Sequence, residues 1–394
     1  MTHKITYISY DNNDQELRNR SASILSNFFI DNEYQIVNDF KGVLFIASGG
    51  SEQFAAELTS KHNNIILLCH RENNSFAATI EIAAYLRAKN KNVSIIDLMI
   101  PDAFKEFEEV YKINQAIESL SKQKAAIIGE VSNWLIISDI ENTIIKEKLG
   151  IELLRLPWNK LEDYRIKEPS KEFNTFFPDI DKEKLLETSK VYHLLDNVIT
   201  ENALSAISVE CFSMVRRDQV TACLPLAVFN TKNIVAACEG DVCSMIGSMI
   251  VRALCGKIPW QANIAEIRDE TVLFAHCTAP LNSLSSYNIT THFETNCGTA
   301  IQGKFKKGRV GVFRINNKLD KYMLLEGEIS ETPNHNFACR TQIEFSTSEE
   351  QTLLLKNSSL GNHHLIFSAT CVPLVVRMMS QLQIERVVEK QITV

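Results

Sequence analysis

The sequence predicts an α/β chain in which two parallel-sheet units precede a mostly antiparallel, barrel-like C-terminal domain. Residues 1–125 alternate short apolar runs with amphipathic stretches, and a second unit of the same kind begins near residue 126. From about Gly256 the texture changes to strands separated by polar turns. A chain of 394 residues exceeds one ordinary core, which places the domains at 1–125, 126–255 and 256–394.

In the first unit ITYISY (5–10), GVLFIAS (42–48), NIILLCH (64–70) and VSIIDLM (93–99) read as buried strands. The segments between them repeat their apolar positions at helical spacing, the pattern of a parallel sheet covered on both faces. The stretch from Pro101 to Lys124 reads as the helix that ends this unit. The second unit opens at AAIIGEVSNWLIISD (125–139) and adds IELLRLPW (151–158) as a strand. A polar excursion over 162–181 follows, and helical pattern resumes through 185–199, 203–217 and the segment ending near Leu254. Beyond it TVLFAHC, FKKGRVGVFRINN, KYMLLEGEI and RTQIEFS read as strands of a barrel or a sandwich.

Composition narrows the function classes. The net charge of −7 and the scattered basic residues argue against a nucleic-acid surface, since phosphate neutralisation needs clustered Lys and Arg. The densest basic group, Lys304, Lys306, Lys307 and Arg309, reads as a solvated hairpin turn. No apolar run reaches membrane-spanning length, and MTHKITYISY lacks a leader pattern. Ten cysteines without a CxxC pair exclude a zinc ribbon and a small secreted disulfide framework. Most are expected to be reduced and buried as small apolar residues, which places the chain in the cytoplasm.

Chemistry concentrates in three short stretches. Glu239 and Asp241 stand where an apolar helix should start, either as N-terminal caps or as carboxylates kept ionised to bind a cation. His276 closes an apparently buried strand, as a satisfied core residue or as a ligand. His363 and His364 precede an apolar run, which puts at least one imidazole at a domain edge. Carboxylate with neutral imidazole suits Mn, Fe, Co or Zn better than Ca or Mg alone. Gly49, Gly50 and Ser51 follow a strand, as a plain turn or an anion cradle, but lack the spacing of a nucleotide loop.

TACLPLAVFNTKNIVAACEGDV (221–242), AHCTAP (275–280), THFETNCGTAIQGKF (291–305) and GNHH (361–364) together resemble the L-fucose/L-arabinose isomerase-like family. IIGEVSNWLIISD (127–139) is similar to that family's entry into its second domain, and RENNSFAATIEIAAYL (71–86) fits its N-terminal domain. The resemblance implies two Rossmann-like α/β domains before the C-terminal domain, and a homo-oligomer, guessed as a trimer or hexamer. It further implies aldose–ketose isomerisation of a pentose, hexose or modified sugar, assisted by a divalent metal, Mn²⁺ before others.

By that resemblance Glu239 is a metal ligand and an acid/base group, and His276 is a ligand. One of the GNHH pair is the late histidine ligand, His364 ahead of His363. For the second acid, Asn263 falls where the fucose isomerases place Asp, and Glu266 lies at the arabinose isomerase spacing. Trp134, Arg217, Asp241, Thr291, His292 and Glu294 are the candidate sugar contacts, each with a plainer structural role open to it. An indole at Trp134 would stack on a sugar face or simply fill core. The alternative from another class is a sugar- or sugar-acid-binding protein of the same fold with altered catalysis. A cysteine-dependent hydrolase or transferase using Cys277 beside His276, or Cys297, carries little weight, because neighbours on a strand face opposite ways.

Overall fold

A computed structural model describes residues 2–30 and 33–388. The chain is mixed α/β and divides into two compact units, Met1–Gln115 and Ala116–Val394.

The first unit carries β1 (His3–Ile8), α1 (Gln15–Phe28), β2 (Tyr34–Val37), β3 (Val43–Ile46), α2 (Glu52–Thr59), β4 (Asn64–Cys69), α3 (Ser75–Ala88), β5 (Asn92–Asp97) and α4 (Ala103–Leu120), within which the division falls. Its strands form one parallel, Rossmann-like sheet in the order β2-β1-β3-β4-β5. Alternation along β3 builds a core on each face. Val43 and Phe45 join Leu25 and Phe107 on one side, while Leu44 and Ile46 join Ala55 and Ile82 on the other. The edge strand β2 is missing from the sequence reading because YQIV is only half buried and carries no clear periodicity. Gly49 and Gly50 form the turn into α2.

The second unit continues with β6 (Lys124–Ile128), α5 (Asn142–Leu149), β7 (Glu152–Leu156), α6 (Lys171–Thr175), α7 (Lys182–Glu201), β8 (Ala206–Val209), α8 (Phe212–Asp218), α9 (Cys223–Thr231), β9 (Val235–Cys238) and α10 (Val242–Cys255). Then follow β10 (Trp260–Ile267), β11 (Thr271–His276), β12 (Leu284–Thr290), β13 (Ala300–Phe305), β14 (Gly308–Ile315), β15 (Lys321–Glu331), β16 (Thr341–Ser346), α11 (Glu349–Ser358), β17 (His363–Ser368), α12 (Val372–Gln381) and β18 (Glu385–Arg386).

A second parallel sheet runs β7-β6-β8-β9, and β12 with β13 forms a separate ribbon. The strands β14-β17-β10-β11-β16-β15 make an antiparallel sheet that the β14–β15 pairing closes into a six-stranded barrel, with β18 added beside β15. Of the barrel and the sandwich, the chain forms the barrel. Trp260, Ala262, Phe274, Val312, Leu325 and Phe345 fill its core.

The helix α10 packs on β8 and β9 and also on β14 and β17, tying the parallel sheet to the barrel. Gly247 lets it approach closely, since a Cβ there would lie 2.7 Å from Leu365 Cδ1.

Two sequence readings change. The segment 203–217, read as helix, contains the buried strand β8 followed by α8; a four-residue apolar strand inside a sheet has no periodicity to distinguish it from helix. The basic group at 304–309 is exposed, as expected, but it joins β13 to β14, strands of different sheets, and so is not a hairpin.

Eight cysteines are free, six of them buried, and Cys255 is bonded to Cys371. Among the described residues no helix is long and apolar enough to cross a membrane.

The close approach of β15 to β16 depends on Gly327 in β15, where a Cβ would stand 2.2 Å from the Ser346 carbonyl oxygen. Gly327→Ala is therefore expected to cost about 1–3 kcal/mol as an overpacked contact. A drop in the urea midpoint at unchanged slope would register it, and an unaltered midpoint would contradict this close approach.

Candidate functional site

The site is built at the carboxyl edge of the second parallel sheet. Loops leaving β6 and β8 diverge there to opposite sides, the position where open α/β sheets bind ligands. A cavity of about 430 Å³ opens among Gly129, Ser132, Trp134, Trp158, Glu210 and Arg216, residues that follow β6, β7 and β8. Glu239 follows β9, and Trp134 both lines the cavity and donates its indole N–H to Glu239 Oε2 at 2.6 Å.

Glu239 has φ +63, a left-handed conformation that non-glycine residues rarely hold unless their surroundings impose it. Three contacts do so. The Ser132 N–H donates to the Glu239 carbonyl at 3.1 Å, and the Val242 and Cys243 N–H groups donate to the Ser138 carbonyl. Gly240, at φ +70, lies so close to the 130–131 backbone that a Cβ would meet the Glu130 oxygen at 2.3 Å.

Behind Glu239 lies a chain of buried charges. Asp241 caps α10, its Oδ1 accepting the Ser244 N–H at 2.7 Å. Its Oδ2 takes His363 Nδ1 at 2.9 Å and lies 3.4 Å from an Arg314 nitrogen. Arg314 is fully buried and also donates to the His363 and Leu360 carbonyls and to Ser138 Oγ. The Gln261 amide nitrogen stands 3.1 Å from the same Nδ1 while its carbonyl accepts the Cys238 N–H. One ring nitrogen cannot serve both, and the charged Asp241 is the stronger partner.

His363 Nε2 then lies 3.6 Å from Glu239 Oε1, and His276 Nε2 lies 3.8 Å from the same oxygen. Both separations are too long for hydrogen bonds, and both nitrogens are buried without a partner. Cys238, Glu239 and His276 offer ligand atoms all within 4.8 Å of one another, a group able to hold a metal ion.

The electrostatics follow the geometry. Burial alone would raise Glu239, but the charge of the nearby His363 and the Trp134 hydrogen bond hold the carboxyl down at about 2. Burial likewise works against the Asp241 anion, and Arg314 and His363 outweigh it. His363 is raised to about 9: burial opposes its charge, but Glu239 and Asp241 flank the ring. His276, buried beside a charged His363, is lowered to about 3.

The expected site residues separate accordingly. Glu239, His276 and His363 converge. His364 does not, although it was placed ahead of His363. In the β10–β17 ladder it sits opposite Ala262 and shares a face with Ile366, both in the barrel core, with Phe274 6.0 Å away. Its Nδ1 bonds the Asn362 carbonyl.

Neither candidate for the second acid supplies a free carboxylate beside Glu239. The Asn263 amide oxygen is taken by Asn362, and Glu266, beyond a bulge in β10, is an exposed partner of Arg268 at 2.6 Å. Asp241 is wholly enclosed with both oxygens occupied, so it is a cap and counter-ion rather than a sugar contact. Arg217 pairs with Asp218 and lines a different cavity with Trp158, Tyr164 and Leu194. Thr291 accepts from Arg340 and closes its turn.

His292 is buried with its ring against Phe212, which in turn meets Trp134, giving the site an aromatic flank. Glu294, on the same loop, is raised by burial and by the charge of Glu239. Sequence reading passed over Arg314, Gln261 and Cys238. Of these only Arg314, a lone charge in the apolar run VGVFRIN, left a visible signal.

No known family profile matches the chain, and no curated protein matches its sequence.

Two outcomes follow from the charge chain. Arg314→Met leaves Asp241 short of a buried partner and is expected to cost about 3–5 kcal/mol in denaturant unfolding. For chelator-treated protein the signs are opposite on the two sides of neutrality. The stabilisation from His363 is complete below its unfolded value of 6.5 and is lost as pH rises through about 9. That from Glu239 is complete above its unfolded value of 4.5 and is lost as pH falls towards about 2. Thermal midpoints between pH 6.5 and 9 should fall, and His363→Asn should flatten that slope.

Proposed function

We propose that the protein is a metal-dependent ketol isomerase acting on a free or modified sugar. The observation that carries this reading is the convergence of two unpartnered, buried imidazole nitrogens, from His276 and His363, on the ionised carboxylate of Glu239. Buried polar atoms are normally satisfied, so nitrogens aimed at a carboxylate beyond bonding distance fit a cation between them. The Asp241 bond to His363 Nδ1 is the support that ligating histidines usually have. The adjoining cavity has the volume of a small-molecule site, and Trp134 presents a half-exposed indole to it.

A divalent metal would supply Lewis acidity, polarising the sugar carbonyl and stabilising the negative charge that develops on oxygen. The remaining work falls to the protein. Moving a carbonyl between C1 and C2 needs a base for a carbon-bound proton and an acid for oxygen. Glu239, kept ionised and oriented by the Trp134 indole, is the proposed base. Glu294 is the proposed acid: it lies two residues from the His292 of the aromatic flank, and burial and the charge of Glu239 raise its carboxyl. The aromatic flank of Trp134, Phe212 and His292 would stack on the sugar and exclude water. A homo-oligomeric state remains part of the proposal, and the resemblance names Mn²⁺ as the first ion to test.

The second reading, a sugar- or sugar-acid-binding protein, is favoured by one observation: Asn263 and Glu266 leave the expected second carboxylate position without an acid.

Calorimetry is expected to detect binding of Mn²⁺ or Co²⁺ that Glu239→Gln and His363→Ala abolish and His364→Ala leaves intact. Asp241→Asn should weaken it by about 10- to 100-fold. Equal affinity in all four variants would remove this site from consideration. With metal bound, incubation of a panel of aldoses and ketoses in deuterated water should exchange the C2 proton of at least one. Binding without exchange throughout would select the second reading.

A further inference from the structure

The donor set near Glu239 includes a group that an isomerase site made only of carboxylates and imidazoles would not contain. Cys238 Sγ lies with the Glu239 carboxylate and the His276 imidazole in a cluster whose ligand atoms are all within 4.8 Å. Consecutive side chains on a strand normally point to opposite faces. The left-handed φ of +63 at Glu239 ends that alternation where β9 stops, so adjacent residues bring sulfur and oxygen to one place. The unpartnered Nε2 atoms of His276 and His363, both buried, face the same carboxylate oxygen.

We propose that Cys238 is a metal ligand, completing a Cys238–Glu239–His276–His363 set that holds zinc or cobalt rather than manganese. The inference rests on the metal-site reading above and sharpens which ion and which residues it involves.

Charge and coordination chemistry support it. Asn263 and Glu266 do not supply a second negative ligand, and a Cys238 thiolate restores it, so an ion that displaces the His363 proton meets two anions and two imidazoles. Thiolate with imidazole and one carboxylate is a borderline-soft, four-donor set that suits Zn²⁺ or Co²⁺, whereas Mn²⁺ prefers oxygen. For Cys238, Glu239 and His276, ligand bonds of about 2.0 Å to nitrogen and oxygen and about 2.3 Å to sulfur require the donors to close by about 1 Å, while His363 joins them through its approach to Glu239.

Cys238 is 4% exposed, its backbone N–H is anchored by Gln261, and its sulfur neighbours the Cys211 thiol. That neighbour and burial favour the neutral thiol, so an ion bound here must displace the Cys238 proton. The simpler role for Cys238, a small apolar residue in the core around Cys211 and Cys223, predicts none of the behaviour below.

The test uses the full-length protein, stripped with chelator and titrated with Co²⁺. Zinc would outrank manganese at most nitrogen and oxygen sites, so relative affinity is not diagnostic. The informative signal is the near-ultraviolet charge-transfer band of a cobalt–thiolate bond. The expected result is one such band per bound ion, lost in Cys238→Ser and retained in Cys211→Ser, with Zn²⁺ abolishing it by displacement. Stoichiometric Co²⁺ binding without the band overturns the thiolate ligand and leaves the carboxylate–imidazole site standing. A band that survives Cys238→Ser overturns the assignment to this cysteine. Wild-type protein that binds neither Co²⁺, Zn²⁺ nor Mn²⁺ overturns the metal site itself. The wild-type spectrum decides the first question even if a variant fails to fold.

Discussion

The alternation of buried charges from Arg314 through Asp241 and His363 to Glu239 is the constraint on which the rest of the second unit depends. Each charge sits out of water, where an isolated ion is costly, and each is stabilised by an opposite neighbour. Removing any member leaves the next uncompensated, so the chain is held as a unit. It also joins segments distant in sequence. The 130–139 loop contributes Ser138, the α10 N-terminus contributes Asp241, and barrel strands contribute Arg314 and His363.

That arrangement explains why the barrel and the parallel sheet meet where they do. The helix α10 lies between β8–β9 and β14–β17, and its positive end points at Asp241. Glu239 lies just before this helix, at the sheet edge where open α/β folds expose their ligand sites. Its left-handed backbone costs conformational energy, compensated by the close packing of Gly240 on the 130–131 backbone. A charged, strained residue with two imidazoles whose Nε2 atoms lack partners beside it, and a cavity in front, is a poor solution for stability alone. It is a reasonable one for holding a cation against a polar substrate.

The fold was legible where periodicity was strong. The buried strands of the first sheet, the helix over 103–120 and the antiparallel strands after Thr271 follow from alternation and apolar runs. It was illegible where elements are short: β2 is a half-exposed edge, and β8 is a four-residue run that reads equally as helix. At the site, Glu239, His276 and the GNHH pair were visible as polar residues at the ends of apolar runs. Arg314 could be noticed but not assigned a partner 73 residues earlier. Gln261 and Cys238 gave no signal, because an amide and a thiol in buried strands are common without any function.

The sequence by itself determined which chemical groups are available: a carboxylate pair before an apolar helix, a strand-terminal imidazole and an adjacent histidine pair. Those follow from local pattern, since burial and helix starts are read within a few residues. Only the tertiary structure decided which groups meet. Whether His363 or His364 faces Glu239 depends on the register of β17 against β10, and a one-residue slip would exchange them. The second acid was decided the same way: a bulge in β10 leaves Glu266 at the surface with Arg268, while Asn362 occupies Asn263. Register and barrel closure are set by contacts about a hundred residues apart, as between Asn263 and His363, and no local pattern encodes them.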